Sequence, residues 1–262
     1  MNNIPCWQCS APVPPDHTFC GQCGAALEKA PPRKRNTQPL SPLMASGRAR
    51  LLVLKGAREA HAGQSFMLGA AQHPAGREEG VVILDDDPFA SPLHANFFYL
   101  DKNDLYVKDE ESLNGTFLRL REPARLKSHD RFIVGQQVFQ FEYLELAERY
   151  PDQDGTLRYV SPQKSTRFRL LQLLDGGRVG QIHASPTNEV TIGREGCDLN
   201  FPDDPHMSRR HARLSHDDKG FLLQDSDSTN GTFLRLREAA RLSHGDCVMM
   251  GQHLLRVEVN PA

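Results

Sequence analysis

The 262-residue chain carries 31 Lys plus Arg against 33 Asp plus Glu, a formal charge of -2. A balance so near neutrality gives no global pull toward nucleic acid or an anionic membrane, so recognition of any charged ligand has to be local. No apolar run approaches the roughly 18–20 residues that span a bilayer, and the N-terminus has no basic segment followed by an apolar one. The expectation is a cytoplasmic chain without membrane insertion.

Residues 1–27 contain Cys6-x-x-Cys9 and, after ten intervening residues, Cys20-x-x-Cys23. Two residues between thiolates let a tight knuckle aim both sulfurs at one ion, and two knuckles complete a four-sulfur tetrahedron. So short a segment has no hydrophobic core, and metal binding supplies its folding free energy. One structural zinc ion on Cys6, Cys9, Cys20 and Cys23 is favoured over iron or a disulfide role. With four protein ligands no position is left for a catalytic water.

Residues 28–47 are rich in Pro, Ser and basic groups without a period and read as a flexible linker. It contains Arg33-Lys34-Arg35 and Thr37, a conceivable phosphorylation site for self-binding. Residues 48–147 change to short apolar runs such as RLLVLKG, GVVILDD, HANFFYL and RFIVG, separated by Gly, Asp, Asn and Pro. Many short strands with frequent turns predict an all-β sandwich. The rhythm lapses over a second linker, 148–165, and returns over 166–262 as a second sandwich.

An internal repeat supports that division. Asn114 to Glu122 recurs residue for residue as Asn230 to Glu238, and His94-Ala95 as His211-Ala212. An identity of this length marks duplication of a whole domain.

In the second copy the informative blocks are Gly193-Arg194, Ser208-Arg209-Arg210-His211 and Ser228-Thr229-Asn230-Gly231. Arginines and a hydroxyl brought together by turns can replace the water that a phosphate dianion loses on binding. Taken singly each block has a plainer meaning: Asn-Gly is a common hairpin turn, paired arginines are usually a solvated surface, and a core histidine explains His211. In this order on a strand-and-turn background, the blocks resemble those of forkhead-associated (FHA) domains. The resemblance covers about residues 168–259 and implies an eleven-strand β-sandwich that binds phosphothreonine peptides through loops at one end. It assigns phosphate contacts to Arg194, Ser208, Arg209 and Thr229 and peptide main-chain contact to Asn230. Gly193, His211 and Gly231 become structural supports.

In the first copy the corresponding blocks are taken as Gly69-Ala70, Ser91-Pro92-Leu93-His94 and Ser112-Leu113-Asn114-Gly115. On this alignment Ala70, Pro92 and Leu113 replace Arg, Arg and Thr, so a degenerate site is expected. Enzyme vocabulary is missing: there is no Gly-x-Gly-x-x-Gly, Gly-x-Ser-x-Gly or His-Glu-x-x-His. The functional expectation is a non-enzymatic adaptor in bacterial Ser/Thr phosphorylation signalling, whose partner is a Thr-phosphorylated protein, a Ser/Thr kinase or its substrate. The alternatives are a zinc-ribbon nucleic-acid-associated regulator and a structural component of a secretion or envelope assembly.

Overall fold

The computed structural model describes residues 4–6, 8–14, 17, 19–25, 48–100, 104–144, 151–159, 168–185 and 187–259. Arg33 to Arg35 and Thr37 lie outside the described residues. The chain divides into two compact units, Met1–Leu40 and Ser41–Ala262. No helix among the described residues is long and apolar enough to cross a membrane.

In the first unit β1 (Ile4–Pro5) and β2 (Pro12–Val13) form a short antiparallel pair. Ser10 N–H donates to Cys6 O and Gly24 N–H to Cys20 O, closing two equivalent knuckles. Each turn is completed by a residue with positive φ, Ser10 at 57° and Gly24 at 71°.

Among its described residues the second unit is built from strands with two short 3-10 turns, Glu59–His61 and Asp175–Gly177. The first repeat supplies β3 (Ala49–Lys55), β4 (Ser65–Leu68), β5 (Gln72–Gly76), β6 (Val82–Ile83), β7 (Ala95–Tyr99) and β8 (Leu105–Asp109). It continues with β9 (Thr116–Arg119), β10 (Ala124–Arg125), β11 (Arg131–Val134) and β12 (Gln137–Tyr143). The second repeat supplies the equivalent β13 (Phe168–Leu173), β14 (Val179–Ser185), β15 (Glu189–Gly193), β16 (Leu199–Asn200), β17 (Ala212–Asp217) and β18 (Gly220–Asp225). Its last four strands are β19 (Thr232–Arg235), β20 (Ala240–Leu242), β21 (Cys247–Met250) and β22 (His253–Val259).

Strand burial alternates as a half-buried sheet requires: in β22, Leu255 and Val257 point into the core while Leu254 and Arg256 point out. The order of pairing is not that of two independent sandwiches. One ten-stranded sheet runs β14-β13-β12-β11-β19-β9-β21-β22-β3-β4, faced by β10-β18-β17-β15-β16 at one end and β20-β8-β7-β5-β6 at the other. The repeats have therefore exchanged their last three strands. β21 and β22 close the first sandwich against β9 and β3, and β11 and β12 close the second against β19 and β13.

The cores confirm the exchange. Leu51, Leu68, Phe97 and Val107 pack with Val248, Met250, Leu255 and Val257 in one cluster, and Phe132, Phe139 and Phe141 pack with Phe168, Ile192 and Leu214 in the other. The crossing falls inside the duplicated segment. Leu118 packs on the first core and Leu120 on the second, while Leu234 packs on the second and Leu236 on the first.

The boundaries 48–147 and 166–262 thus delimit repeats, not sandwiches. The second sandwich is one continuous stretch, Ala124 to Arg235, inserted into the first. Each sandwich holds ten described strands, where the resemblance implied eleven. Two physical features make the exchange possible. The crossing segments are identical, so either pairing satisfies the same face pattern. It also makes β12 and β13 antiparallel neighbours in sequence and in space, with Tyr143 opposite Phe168.

One buried carboxylate holds each exchanged hairpin. Asp204 Oδ2 accepts from Gln136 N–H and Gln137 Nε2, both at 2.8 Å. Its counterpart Asp87 accepts at Oδ2 from Gln252 N–H (2.7 Å) and pairs with His253 Nδ1 (2.8 Å).

Candidate functional site

In the second sandwich β15 ends at Gly193, and the next backbone N–H, of Arg194, donates to Ser208 O at 2.9 Å. A side chain on Gly193 would collide with the Arg209 carbonyl and Cys197 Sγ, so glycine lets the two loops approach. Ser208 Oγ accepts from Thr229 N–H at 3.1 Å, joining the second loop to the third. His211 is fully buried and braces all of this: Nδ1 accepts from Ser208 N–H (3.1 Å), leaving Nε2 as the donor to Gly231 O (3.2 Å). Burial holds its pKa below the ordinary imidazole value, in keeping with a neutral ring.

The third loop is set by Asp225. Its carboxylate accepts from Ser228 N–H, Ser228 Oγ and Thr232 Oγ1 at 2.7–2.9 Å, while Gly231 N–H donates to Ser228 Oγ at 2.8 Å. Asp225 and Ser228 are the supports that the sequence motifs left unassigned. Ser228-x-x-Gly231 beside an aspartate that ends a strand was the signal for them.

These loops bring Arg194, Ser208, Arg209, Thr229 and Asn230 onto one open basin of about 450 Å³, also lined by His206 and Arg210. Arg194 is exposed and has no carboxylate partner among the described residues. Arg209 is engaged with Glu195, Nε to Oε1 at 2.9 Å. Asn230 Nδ2 donates to His206 O at 2.9 Å, which leaves its amide oxygen for a ligand.

The first sandwich has the same frame. Ser91 N–H donates to His94 Nδ1 (3.1 Å), His94 Nε2 meets Gly115 O (3.1 Å), Leu113 N–H donates to Ser91 Oγ (3.1 Å) and Asn114 Nδ2 to Phe89 O (2.8 Å). The alignment of Gly69-Ala70 with Gly193-Arg194 is corrected. β5 ends at Gly76, and Arg77 N–H donates to Ser91 O at 2.9 Å, the bond that Arg194 makes to Ser208. Arg77 therefore occupies the arginine position, 117 residues before Arg194, the same spacing that separates Ser91 from Ser208.

Two of the three expected losses stand, Pro92 for Arg209 and Leu113 for Thr229, and Leu93 replaces Arg210. Arg77 itself is turned to protein, with Nε donating to Ala90 O (3.2 Å) and a terminal nitrogen 2.5 Å from Glu78 Oε1. In the acidic run Asp85-Asp86-Asp87, Asp87 is buried and caps the exchanged hairpin, so its charge does not face a ligand.

In the N-terminal unit the four cysteine sulfurs lie within 4.8 Å of one another, with Cys6 and Cys23 at 3.7 Å and Cys9 and Cys20 at 3.6 Å. Tetrahedral thiolates at metal–sulfur bonds of about 2.3 Å stand about 3.8 Å apart, so the cage fits such an ion. Backbone N–H groups of Gln22 and Cys23 pull the Cys20 thiol down to about 6. The alternating burial, with Cys6 and Cys20 inside and Cys9 and Cys23 outside, follows from each knuckle pointing its first thiol into the segment.

The FHA domain family profile matches residues 75–135 and 190–251, and a zinc-ribbon domain profile matches residues 6–27. The chain is 37% identical over 109 residues to the glycogen accumulation regulator GarA of Mycobacterium tuberculosis, covering 40% of this chain and 64% of that protein. It is 30% identical over 86 residues to the E3 ubiquitin-protein ligase CHFR of Danio rerio, covering 28% of this chain and 14% of the ligase. Among solved structures, the FHA domain of CT664 from Chlamydia trachomatis is similar at 12% identity, with a TM-score of 0.33, over 80% of this chain and 96% of that one. The chain spans less than two thirds of either curated relative. With an FHA profile match on each repeat and a four-cysteine cage ahead of them, the chain carries two FHA domains preceded by a zinc-ribbon segment.

Proposed function

We propose that the second sandwich binds a phosphothreonine-containing protein and that the chain acts as a non-enzymatic adaptor in Ser/Thr phosphorylation signalling. The observation that carries this is the shared basin of Arg194, Ser208, Thr229 and Asn230. Arg194, which has no carboxylate partner among the described residues, takes the phosphate oxygens. Ser208 Oγ already accepts from Thr229 N–H, so its own hydrogen is available to the phosphate. Arg209 contributes after exchanging Glu195 for the dianion, an exposed pair that is cheap to break. Asn230, fixed through its NH2 group, accepts from the peptide main chain.

The N-terminal cage holds one structural zinc ion on Cys6, Cys9, Cys20 and Cys23. Four sulfurs at tetrahedral spacing suit zinc, and the ion orders a segment with almost no core of its own.

Fluorescence polarisation with a phosphothreonine peptide library on the full chain tests the reading. Binding that disappears in Arg194→Ala and persists in Arg77→Ala is the expected result. Equal binding of phosphorylated and unphosphorylated library members would remove the proposal. Binding to DNA or RNA with steep salt dependence would favour the regulator alternative.

A further inference from the structure

Strand exchange creates a groove that neither repeat could form alone. About 620 Å³ in volume, it runs from Phe89 and Asn114 of the first sandwich across the outer face of the ten-stranded sheet to the Asp175–Gly177 turn. Its floor is apolar, made by Phe117, Ile133, Val138 and Met249. At the rim Phe89 and Leu174 are each 45% exposed. Adjacent to Asn114, Leu113 is 83% exposed, which leaves a sizeable apolar surface in water at this end of the groove.

The charge in the groove is unbalanced. Arg131 and Arg178 line it against one carboxylate, Asp175. Continuing the pairing of Phe132 with Leu234 by one residue sets Arg131 opposite Arg235, two cations facing each other on neighbouring strands. Like charges in that position destabilise a sheet. Neither arginine has a carboxylate partner among the described residues: Arg131 Nε donates to Gln140 Oε1 (3.3 Å) and Arg235 to Ser112 O (3.4 Å). Burial, and then Arg235, push the Arg131 guanidinium below its ordinary pKa. A half-buried cation of this kind is relieved by an anion. At the other end Asn114 presents its amide oxygen, since its Nδ2 is held by Phe89 O.

We infer that this groove binds an extended, unphosphorylated peptide with apolar side chains and one carboxylate, which pairs with Arg131 while Asn114 accepts from the peptide backbone. A monoanion fits better than a phosphate. The excess is a single positive charge, and the neighbouring loop replaces phosphate donors with Pro92, Leu93 and Leu113. The apolar floor lies on a sheet face, with Val138 and Met249 only partly buried and open to apolar side chains, and Arg131 offers a planar fork that matches a carboxylate. This inference is independent of the reading of the second sandwich.

The test uses the full chain against an array of heptapeptides with Leu, Ile or Phe flanks and Asp, Glu, Asn, Gln, Lys or phosphothreonine at the centre, followed by polarisation on the best binders. Asp- or Glu-centred peptides should bind at micromolar concentration and their amide counterparts at least tenfold more weakly. Arg131→Gln should abolish that preference and Leu174→Ser should weaken all binders, while Arg194→Ala leaves them unchanged. Thermal melts check each variant, and Arg178→Gln, on an exposed turn, provides a second charge probe if Arg131→Gln is unfolded. Equal affinity for acid and amide centres, a preference for phosphothreonine in Arg194→Ala, no binder at all, or an unaltered preference in the folded charge variants would each overturn the inference.

Discussion

Arg119 and Gly231 belong to different repeats, yet the Arg119 side chain fills the space where a Cβ on Gly231 would stand. Arg235 fills the same space beside Gly115. Each recognition loop is therefore backed by an arginine from the other half of the chain, a direct product of the antiparallel pairing of β9 with β19. Gly231 also has φ of 82°, where a side chain is strained. Gly231→Ala should lose stability by about 1–3 kcal/mol from backbone strain alone, with more from displacing Arg119. Urea unfolding of Gly231→Ala beside Gly231→Ala/Arg119→Ala separates the two effects, because the double variant should recover part of the loss. No recovery would mean that Arg119 does not occupy that position in solution.

Strand exchange makes a second prediction, in the coupling between residues. Asp204 bonds Gln136 and Gln137 of the first repeat, whereas two independent sandwiches would put it against Gln252 and His253 of its own. Asp204→Ala should cost about 1–3 kcal/mol by leaving buried donors unpaired. In double-mutant cycles Asp204→Ala should couple to Gln137→Leu, and Asp87→Ala to His253→Leu, by about 0.5–3 kcal/mol. Coupling of Asp204 to His253 in place of Gln137 would show that the repeats close on themselves.

Much of the candidate site was legible because its parts are local. Gly193-Arg194, Ser208 to His211 and Ser228 to Gly231 each sit within one turn, and their order on a strand background was enough to predict that they meet. Exchange was not legible, for a physical reason: Asn114 to Glu122 is identical to Asn230 to Glu238, so hydrophobic pattern cannot tell which copy pairs with which. What selects the partner lies outside the motif, in contacts such as His253 with Asp87. Arg77 was missed because Gly69 too stands at a strand end, directly after β4, as Gly193 does at the end of β15. Counting 117 residues back from Arg194, as His94 and His211 already required, lands on it.

Acid should destabilise the tandem sandwich through three buried imidazoles. Burial lowers the pKa of His73, His94 and His211, and their ring nitrogens are engaged as neutral groups. In the unfolded chain each takes up a proton near pH 6.5, whereas in the fold each resists until lower pH. Below about pH 6.5 the unfolded state thus binds more protons, and stability falls as pH falls, by up to about 1.4 kcal/mol per pH unit for each histidine. The stability is fully present above that range and is lost toward the folded-state values. Denaturant midpoints of wild type and His211→Gln between pH 7.5 and 5 check this: the variant should start lower and fall less steeply. Parallel slopes would mean that His211 takes up its proton at the same pH in the folded and unfolded chain.

Metal removal should act on one unit and spare the other. The buried cluster of the N-terminal unit consists of Cys6, Val13, Cys20 and Ala25, too little apolar surface to offset chain entropy. The unit of Ser41–Ala262 has buried apolar clusters of its own. A strong chelator should therefore expose all four cage thiols to alkylation and erase the protection of amides in residues 4–25, while the main thermal transition stays in place. Cys20→Ser should reproduce that pattern without chelator, since three sulfurs cannot close the tetrahedron. Hydrogen exchange resolved by peptide reads both units in one experiment. Protection of residues 4–25 that survives chelation would show that the knuckles are held by something other than an ion.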